Sequence, residues 1–451
     1  MVEFQYIHYI GGIVVKDYLT SAEKLIDMLG ECTCSYTTVT KVVDILKENN
    51  FIELNLSKSW DIVNGGKYYI NIYDSGIFAF TIGERFSGDT GVRIVAAHTD
   101  HPCMYIKPNP EVIKNKYASV NVEMYGGMIL NTWLDRPLSM AGKVTYKSDN
   151  MSKPNVRIID MKKSVFTIPN LAIHQNREVN KGMELSRQKD MMPVCATIEE
   201  MLDNNHFFIK YLAKHIDVSA DDILDYEIYI YNNDIPEILG LNDDFISSPR
   251  LDNITSVLAC TEGIVHSGNI ISSSDRINVM ALFDNEEIGS RTKQGADCSL
   301  LSIVLEKLYY ELGYERIDYL NGVMDGFCLS VDVAHGEHPN KLEKSDITNK
   351  NPLNSGVVIK RACSQTYATD ATSIAFIEQI CSSYDIPYQK FTSNSDITTG
   401  STLGDCVNKY LPMRTVDLGV PVLAMHSARE TMGSKDQRAL TKLIKAFIES
   451  C

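Results

Sequence analysis

The chain has 451 residues, 44% of them hydrophobic and 22% charged, with a net charge of −15. That length exceeds what one compact core needs, so it predicts two or three domains or one domain carrying a large insertion. The acidic balance argues against a nucleic-acid partner, and no apolar run approaches the roughly 18 residues of a membrane span.

The opening MVEFQYIHYI lacks the basic and apolar regions of a secretory signal. Eleven cysteines, an odd number spread along the whole chain, fit reduced thiols in a cytoplasmic protein rather than a disulfide framework. Cys32 and Cys34 form the one close pair. No second pair follows at zinc-finger spacing, so they are read as reduced cysteines near a helix end.

In chain order, Ser21 to Leu29 and Val39 to Glu48 carry apolar residues at helical spacing, with Thr20 or Ser21 as a cap for the first. Strand patterns follow at Tyr68 to Tyr73 and Gly76 to Ile82. GVRIVAA, Gly91 to Ala97, is nearly continuous in apolar residues and fits a strand buried on both faces. After Pro108 the texture changes. Ala118 to Met124, Gly142 to Tyr146 and Val156 to Ile159 are short β-like runs between polar loops, Gln175 to Met192 reads as a long loop, and Ile198 to His215 as a helix.

From about Phe245 strand and helix alternate again. Arg250 to His266, Ser299 to Leu312, Ala371 to Ser382 and Ala439 to Glu449 are helical. INVMALF (Ile277 to Phe283), FCLSV (Phe327 to Val331) and Val420 to Met425 are strand-like. The expected fold is α/β, a mixed, mostly parallel sheet flanked by helices, formed by residues 1–108 with 240–451 and interrupted by a β-rich insertion over 109–239.

Functional groups of open α/β sheets gather at the carboxyl ends of strands. His98 and Asp100 follow GVRIVAA directly. One ring nitrogen of His98 can face a metal while Asp100 orients the ring. By itself a His-x-Asp at a strand end is a weak signal and reads as a polar loop. Glu286 and Glu287 follow INVMALF. Adjacent carboxylates repel, so one of them wants a cation or a proton, although an acidic turn in solvent has the same spelling. Asp332 follows FCLSV, His426 follows the Val420 to Met425 run, and Asp252 opens a helix, where a capping role is the plain alternative. Together these residues form the nitrogen and oxygen donor set that zinc-like ions prefer, and a pair of ions bridged by a carboxylate and a water is a common hydrolytic arrangement.

These strings resemble the metalloaminopeptidases typified by aspartyl aminopeptidase and vacuolar aminopeptidase I. The matching stretches are AAHTDHPC (Ala96 to Cys103), SPRLDN (Ser248 to Asn253), FDNEEIGS (Phe283 to Ser290), SVDVAHGEHPN (Ser330 to Asn340), TYATDA (Thr366 to Ala371), GSTLG (Gly400 to Gly404) and RTVDLGVPVLAMHSARE (Arg414 to Glu430). TWLDRPLSMAGKV (Thr132 to Val144) and IPNLAIH (Ile168 to His174) match within the insertion.

The resemblance implies an enzyme that removes an acidic or neutral N-terminal residue from peptides, using two divalent ions, zinc foremost with cobalt or manganese as substitutes. Asp252 would bridge the ions, His98 and Asp332 would complete one site, and Glu287 and His426 the other. Glu286 would be the general base and Asp100 would orient His98. His335 would lie near the substrate carbonyl, and His174 would reach a neighbouring subunit's site. Lys360 and Tyr367 would line the pocket for the first side chain. The insertion would mediate dimerisation within a dodecamer.

Two departures stand out: Pro137 follows Asp135-Arg136, and His101 follows Asp100. His101 and His338 are read as loop residues, and Cys103 and Cys298 as packing. The competing readings are a related two-metal glutamyl aminopeptidase or deacylase, and a non-catalytic scaffold.

Overall fold

The computed structural model describes residues 7–10, 13–197, 206–397, 400 and 402–450. They form two compact units. The first comprises Met1–Asp100, Pro236–Met425 and Glu430–Cys451, and the second His101–Ile235 and His426–Arg429.

The first unit is built on a nine-stranded sheet. In chain order its strands are β1 (Ile52–Glu53), β2 (Lys67–Ile72), β3 (Gly76–Ile82), β4 (Arg93–His98), β5 (Ile277–Phe283), β6 (Phe327–Val331), β7 (Val357–Lys360), β8 (Tyr388–Phe391) and β9 (Arg414–Gly419). Their spatial order is β8-β7-β9-β6-β4-β5-β3-β2-β1. The central strands β9, β6, β4 and β5 run parallel, with Ala96 opposite both Ala281 and Ser330, while β3 returns antiparallel against β5.

Every residue of β3, β4, β5 and β6 is buried. That is why these strands read as continuous apolar runs rather than alternating ones. The alternation is still present in the packing. Val95 and Ala97 join one core with the helices Asp17–Glu31, Ser35–Glu48, Leu251–Asn269, Ala371–Ser383 and Asp436–Glu449. Ile94 and Ala96 join a second core with Leu300–Glu311, Arg316–Met324 and Leu403–Tyr410. The last helix of the chain is held by Leu440, Leu443, Ile444 and Phe447, all fully buried, each worth roughly 1.5–3 kcal/mol of transfer free energy.

Several expectations are corrected here. The first helix begins at Asp17, so Thr20 and Ser21 lie inside it rather than capping it. The Val420 to Met425 run does not join the main sheet. Only Pro421–Leu423 is strand, and it belongs to a smaller five-stranded sheet with Glu237–Leu239, Phe245–Ser248, Ala334–His335 and Glu430–Gly433. The main-sheet strand beside β6 is β9, whose buried Asp417 disguised it.

The second unit is an antiparallel six-stranded sheet in the order Asn155–Asp160, Leu138–Tyr146, Ile223–Asn232, Cys103–Lys114, Tyr117–Tyr125 and Val194–Thr197. Its core includes Met104, Val120, Met140, Val144, Ile228 and Ile230 together with Phe208, Leu212 and Ile216 of the helix Phe207–Ile216. The expected helix from Ile198 is described only from Phe207, and residues 198–205 lie outside the described residues. Cys103–Lys114 escaped the sequence reading because Pro108 and Pro110 interrupt it. The pairing register shifts between Ile106 and Glu111, where the prolines are accommodated. Gln175 to Met192 is loop apart from a single turn at Val179–Lys181.

Candidate metal centre

β4 delivers His98 at the carboxyl end of the sheet, and Thr99 fixes the chain as it leaves. The Thr99 N–H donates to the Phe283 carbonyl at 2.8 Å, and its hydroxyl donates to the Ser75 carbonyl at 2.6 Å. Asp100 is thereby set against the end of β5, where Asn285 in the left-handed region (φ 64°) turns the chain into the short 3-10 helix Glu286–Ile288. Asp100 Oδ1 accepts the Glu286 N–H and Oδ2 the Glu287 N–H, both at 3.1 Å. Oδ1 also lies 3.3 Å from His98 Nδ1. One carboxylate therefore orients the imidazole and holds the backbone of both glutamates.

The other ring nitrogen, His98 Nε2, lies 3.4 Å from Asp252 Oδ1 and 3.5 Å from Asp332 Oδ1. One donor atom from each of His98, Asp252 and Asp332 falls within 4.8 Å of the others, and the same holds for His98, Glu286 and Glu287. The spacing of Asp332 follows from β6, which ends at Val331. Asn253 Nδ2 donates to the Val331 carbonyl at 3.1 Å and ties the start of the Leu251–Asn269 helix to that strand end.

No side chain is seen capping the Leu251–Asn269 helix, and Asp252 turns its Oδ1 to His98 Nε2 instead. Its backbone is non-helical (ψ 105°), the Asp252–Asn253 peptide is cis, and its N–H donates to Glu430 Oε2 at 3.0 Å. Arg250, just before it, donates to the Cys32 carbonyl at 2.9 Å and the Leu29 carbonyl at 3.0 Å. It thus satisfies orphan carbonyls at the end of the Asp17–Glu31 helix. Cys32 and Cys34 are buried at this junction and form no disulfide, as expected for reduced cysteines near a helix end.

The electrostatics call for positive charge. Burial alone would push the His98 ring down, but Asp100, Asp252 and Asp332 outweigh it and hold the ring well above its ordinary value. Burial raises Glu286 to about 8; His98 opposes this, while Asp332, Asp100 and Asp252 add to it. Asp284, buried beside Asp100, is pushed up to about 7. A buried set that protonates its own members for want of cations, and that offers imidazole nitrogen and carboxylate oxygen, fits divalent metal ions such as zinc.

Lys360 was expected in the substrate pocket. Its side chain is only 2% exposed. Its ammonium lies 3.3 Å from Asp332 Oδ2 and donates to the Val333 carbonyl at 2.9 Å. Tyr367 is buried too, its ring centroid 5.5 Å from that ammonium. His335 is exposed at the end of its two-residue strand.

The remaining expected residues fall in the second unit. His426 has a positive φ of 65° and its Nδ1 lies 3.0 Å from the Gly127 carbonyl. His174 is exposed in the loop after Ile168. That loop is joined to the TWLDRP stretch, since Asp135 Oδ1 accepts the Asn170 N–H at 2.8 Å. His101 is a loop residue, as read, but buried.

Two residues were missed. Glu430, 2% exposed, holds the Asp252 backbone. Asp417, fully buried on β9, accepts the Ala368 N–H at 2.6 Å and the Thr402 hydroxyl, and so fastens TYATDA and GSTLG to the sheet. A carboxylate inside the apolar run RTVDLGV was the available signal for the second.

Histidine and carboxylates collected at the carboxyl ends of parallel strands, with an acidic pair beside them, define a metal-dependent hydrolase of the α/β class. The chain belongs to the Aminopeptidase I zinc metalloprotease (M18) family, whose model matches residues 28–448. A probable M18 family aminopeptidase 2 of Clostridium novyi is 40% identical over 434 residues, covering 96% of this chain and 99% of that protein. A cryo-EM structure of Ape4 in complex with Nbr1 superimposes with a TM-score of 0.92 at 30% identity, covering 96% of this chain and 86% of that one. The mApe1 dodecamer of S. cerevisiae gives a TM-score of 0.83 at 25% identity, covering 96% and 97%. The protein is a metalloaminopeptidase, a hydrolase that removes N-terminal residues.

Proposed function

We propose that this aminopeptidase works with two divalent ions, zinc in the first instance, held by His98, Asp252, Glu287, Asp332 and His426. The observation that carries the proposal is the convergence of His98, Asp252, Asp332, Glu286 and Glu287, with Asp100 clamping three of them. Asp252 would be shared by the two ions; His98 and Asp332 would complete one site, and Glu287 and His426 the other.

When bound, the ions supply Lewis acidity, lowering the pKa of the attacking water and polarising the scissile carbonyl. Glu286 does the proton transfer. Its backbone N–H held by Asp100, it takes the water's proton and returns it to the leaving amine. Asp100 holds the His98 ring in the orientation that leaves Nε2 facing Asp252 and Asp332. His335 sits beside the substrate carbonyl, and His174 from a neighbouring subunit helps stabilise the oxyanion. Lys360 and Tyr367 border the first side chain, acidic or neutral.

Self-association runs through the inserted domain, residues 109–239. The dodecamer of the similar mApe1 supports an assembly of the same kind. Cysteines spread through the described residues without forming a disulfide support a cytoplasmic setting.

Zinc content and hydrolysis of aminoacyl anilides, measured on wild type and Glu286→Gln, test this reading. The variant should keep its metal and lose about 10²–10⁴-fold in kcat. Unchanged turnover in Glu286→Gln, or a metal-free wild type of full activity, would overturn it.

A further inference from the structure

One residue of β9 holds two separate segments that border the candidate centre. Asp417 lies in register with Ser330 of β6 and is fully buried. A carboxylate there loses its hydration and is tolerated only where its oxygens find donors. Both oxygens do. Oδ2 accepts the Ala368 N–H at 2.6 Å, and Oδ1 accepts the Thr402 hydroxyl. The backbone takes part as well. The Asp417 N–H donates to Thr369 Oγ1 at 2.9 Å, and Thr369 bridges to Thr415 on the same strand.

The two segments stand at different parts of the centre. Ala368 follows Tyr367, whose ring centroid lies 5.5 Å from the Lys360 ammonium, and that ammonium is 3.3 Å from Asp332. Thr402 opens the helix Leu403–Tyr410. Cys406 of that helix bonds to the Ser290 side chain and lies close enough to Glu286 to feel its charge. One segment is therefore on the Asp332 side and the other on the Glu286 side. The helix start is fitted closely to the carboxylate, since a Cβ at Gly404 would stand 2.6 Å from Oδ1. A pocket discriminates between side chains only as well as its walls keep their places, and buried hydrogen bonds behind the walls are what fix them.

We infer that Asp417 is the positioning residue that sets selectivity for the first side chain, by holding the Tyr367 segment and the start of the Leu403–Tyr410 helix on one rigid strand. The inference rests on the proposed place of Tyr367 beside that side chain. An apolar residue at 417 strands the Ala368 N–H and releases the Thr402 hydroxyl. Both segments then relax, and the pocket loses its shape while His98, Asp252 and Asp332 keep theirs.

The test compares hydrolysis of Asp, Leu and Ala anilides by the zinc-loaded enzyme and reads the spread in kcat/KM between the best and the worst, with zinc content measured alongside. In Asp417→Val the spread should shrink by about tenfold, mostly through a higher KM for the best substrate; that is about the effect of one stranded N–H. Zinc content should be unchanged. Asp417→Asn should keep the spread, because its oxygen can accept the Ala368 N–H while its amide donates to the Thr402 hydroxyl. Thr402→Val and Gly404→Ala disturb the helix side alone and should shrink the spread by a smaller factor, and they decide the matter if Asp417→Val does not fold. A merely structural role gives a different result: a smaller active fraction lowers kcat equally on all three substrates and leaves KM and the spread as they were. That result, or Asp417→Asn as damaging as Asp417→Val, overturns the inference while leaving Tyr367 in its pocket. A Tyr367→Ala enzyme with an unchanged spread overturns the pocket and the inference together.

Discussion

Asp100→Asn is the most searching single substitution, because one buried carboxylate serves three partners. Oδ1 faces His98 Nδ1 and the Glu286 N–H, and Oδ2 faces the Glu287 N–H. An asparagine amide has one oxygen. In either orientation its NH₂ must point at a backbone N–H, so at least one charged hydrogen bond is lost and a donor is set against a donor. At 4% exposure water cannot relieve the conflict.

A hydrogen bond to a charged acceptor is worth about 1.5–3 kcal/mol, and the stranded N–H costs a similar desolvation penalty, so the loss amounts to about 3–4 kcal/mol at the site. Read as transition-state stabilisation, that predicts a fall of about 10²–10³ in kcat/KM. The effect on zinc should be smaller, roughly 10–100-fold in affinity, because on the proposed ligand set Asp100 would act on the metal through His98. The assay is a competitive chelator titration followed by kcat/KM at saturating zinc. Saturation should recover part of the activity only, since zinc does not reseat the Glu286 backbone. Zinc affinity and kcat/KM both within threefold of wild type would refute the reasoning.

Arg250→Met removes two hydrogen bonds to the Leu29 and Cys32 carbonyls from a buried site, and should lower the thermal midpoint by several degrees in a melting experiment. Gly419→Ala would drive a Cβ into the Asp332 carbonyl across the sheet, so it should depress zinc occupancy, measured by elemental analysis, more than any surface Gly→Ala control. Glu262 supplies a pH test. Burial would raise its carboxyl, but the Lys24 and Lys445 ammonium groups at 2.8 and 2.9 Å hold it below the ordinary value. A folded pKa below the unfolded one stabilises above about pH 4.5, and the gain is lost as pH falls through the folded value. Glu262→Gln should therefore cost about 1 kcal/mol at pH 7, and the gap from wild type in chemical denaturation should close as the medium is acidified below 4.5.

The sheet centre was legible because β3, β4, β5 and β6 are buried on both faces and spell that burial as unbroken apolar runs. The donors were legible because three of those strands end on a histidine or acid within a few residues. The edge of the sheet was not. β8 reads YQKF and β7 has four residues, lengths and compositions that a loop also shows. The small five-stranded sheet was invisible for a different reason: its strands pair segments as distant as Phe245–Ser248 and Glu430–Gly433, and no local pattern encodes such a partner. At the site, the family resemblance implied Lys360 as a pocket residue but could not reveal that Asp332 and the Val333 carbonyl already engage its ammonium. Glu430 stayed hidden because its partner is a backbone N–H, a group every residue carries.

The position of β4 has a consequence for how the enzyme is made. Both of its neighbours, β5 and β6, are encoded far downstream, beyond the His101–Ile235 stretch of the second unit. While the ribosome is still translating, RIVAAH is an apolar six-residue segment with both edges open and no partner yet synthesised. Such segments are where nascent chains stick to one another. A truncated product ending before Val331 would carry His98 and Asp252 without Asp332, and would expose this strand to chaperones rather than to zinc. On the proposed ligand set, metal loading would be a late event in the life of the polypeptide, and premature termination should yield aggregates rather than partially active fragments.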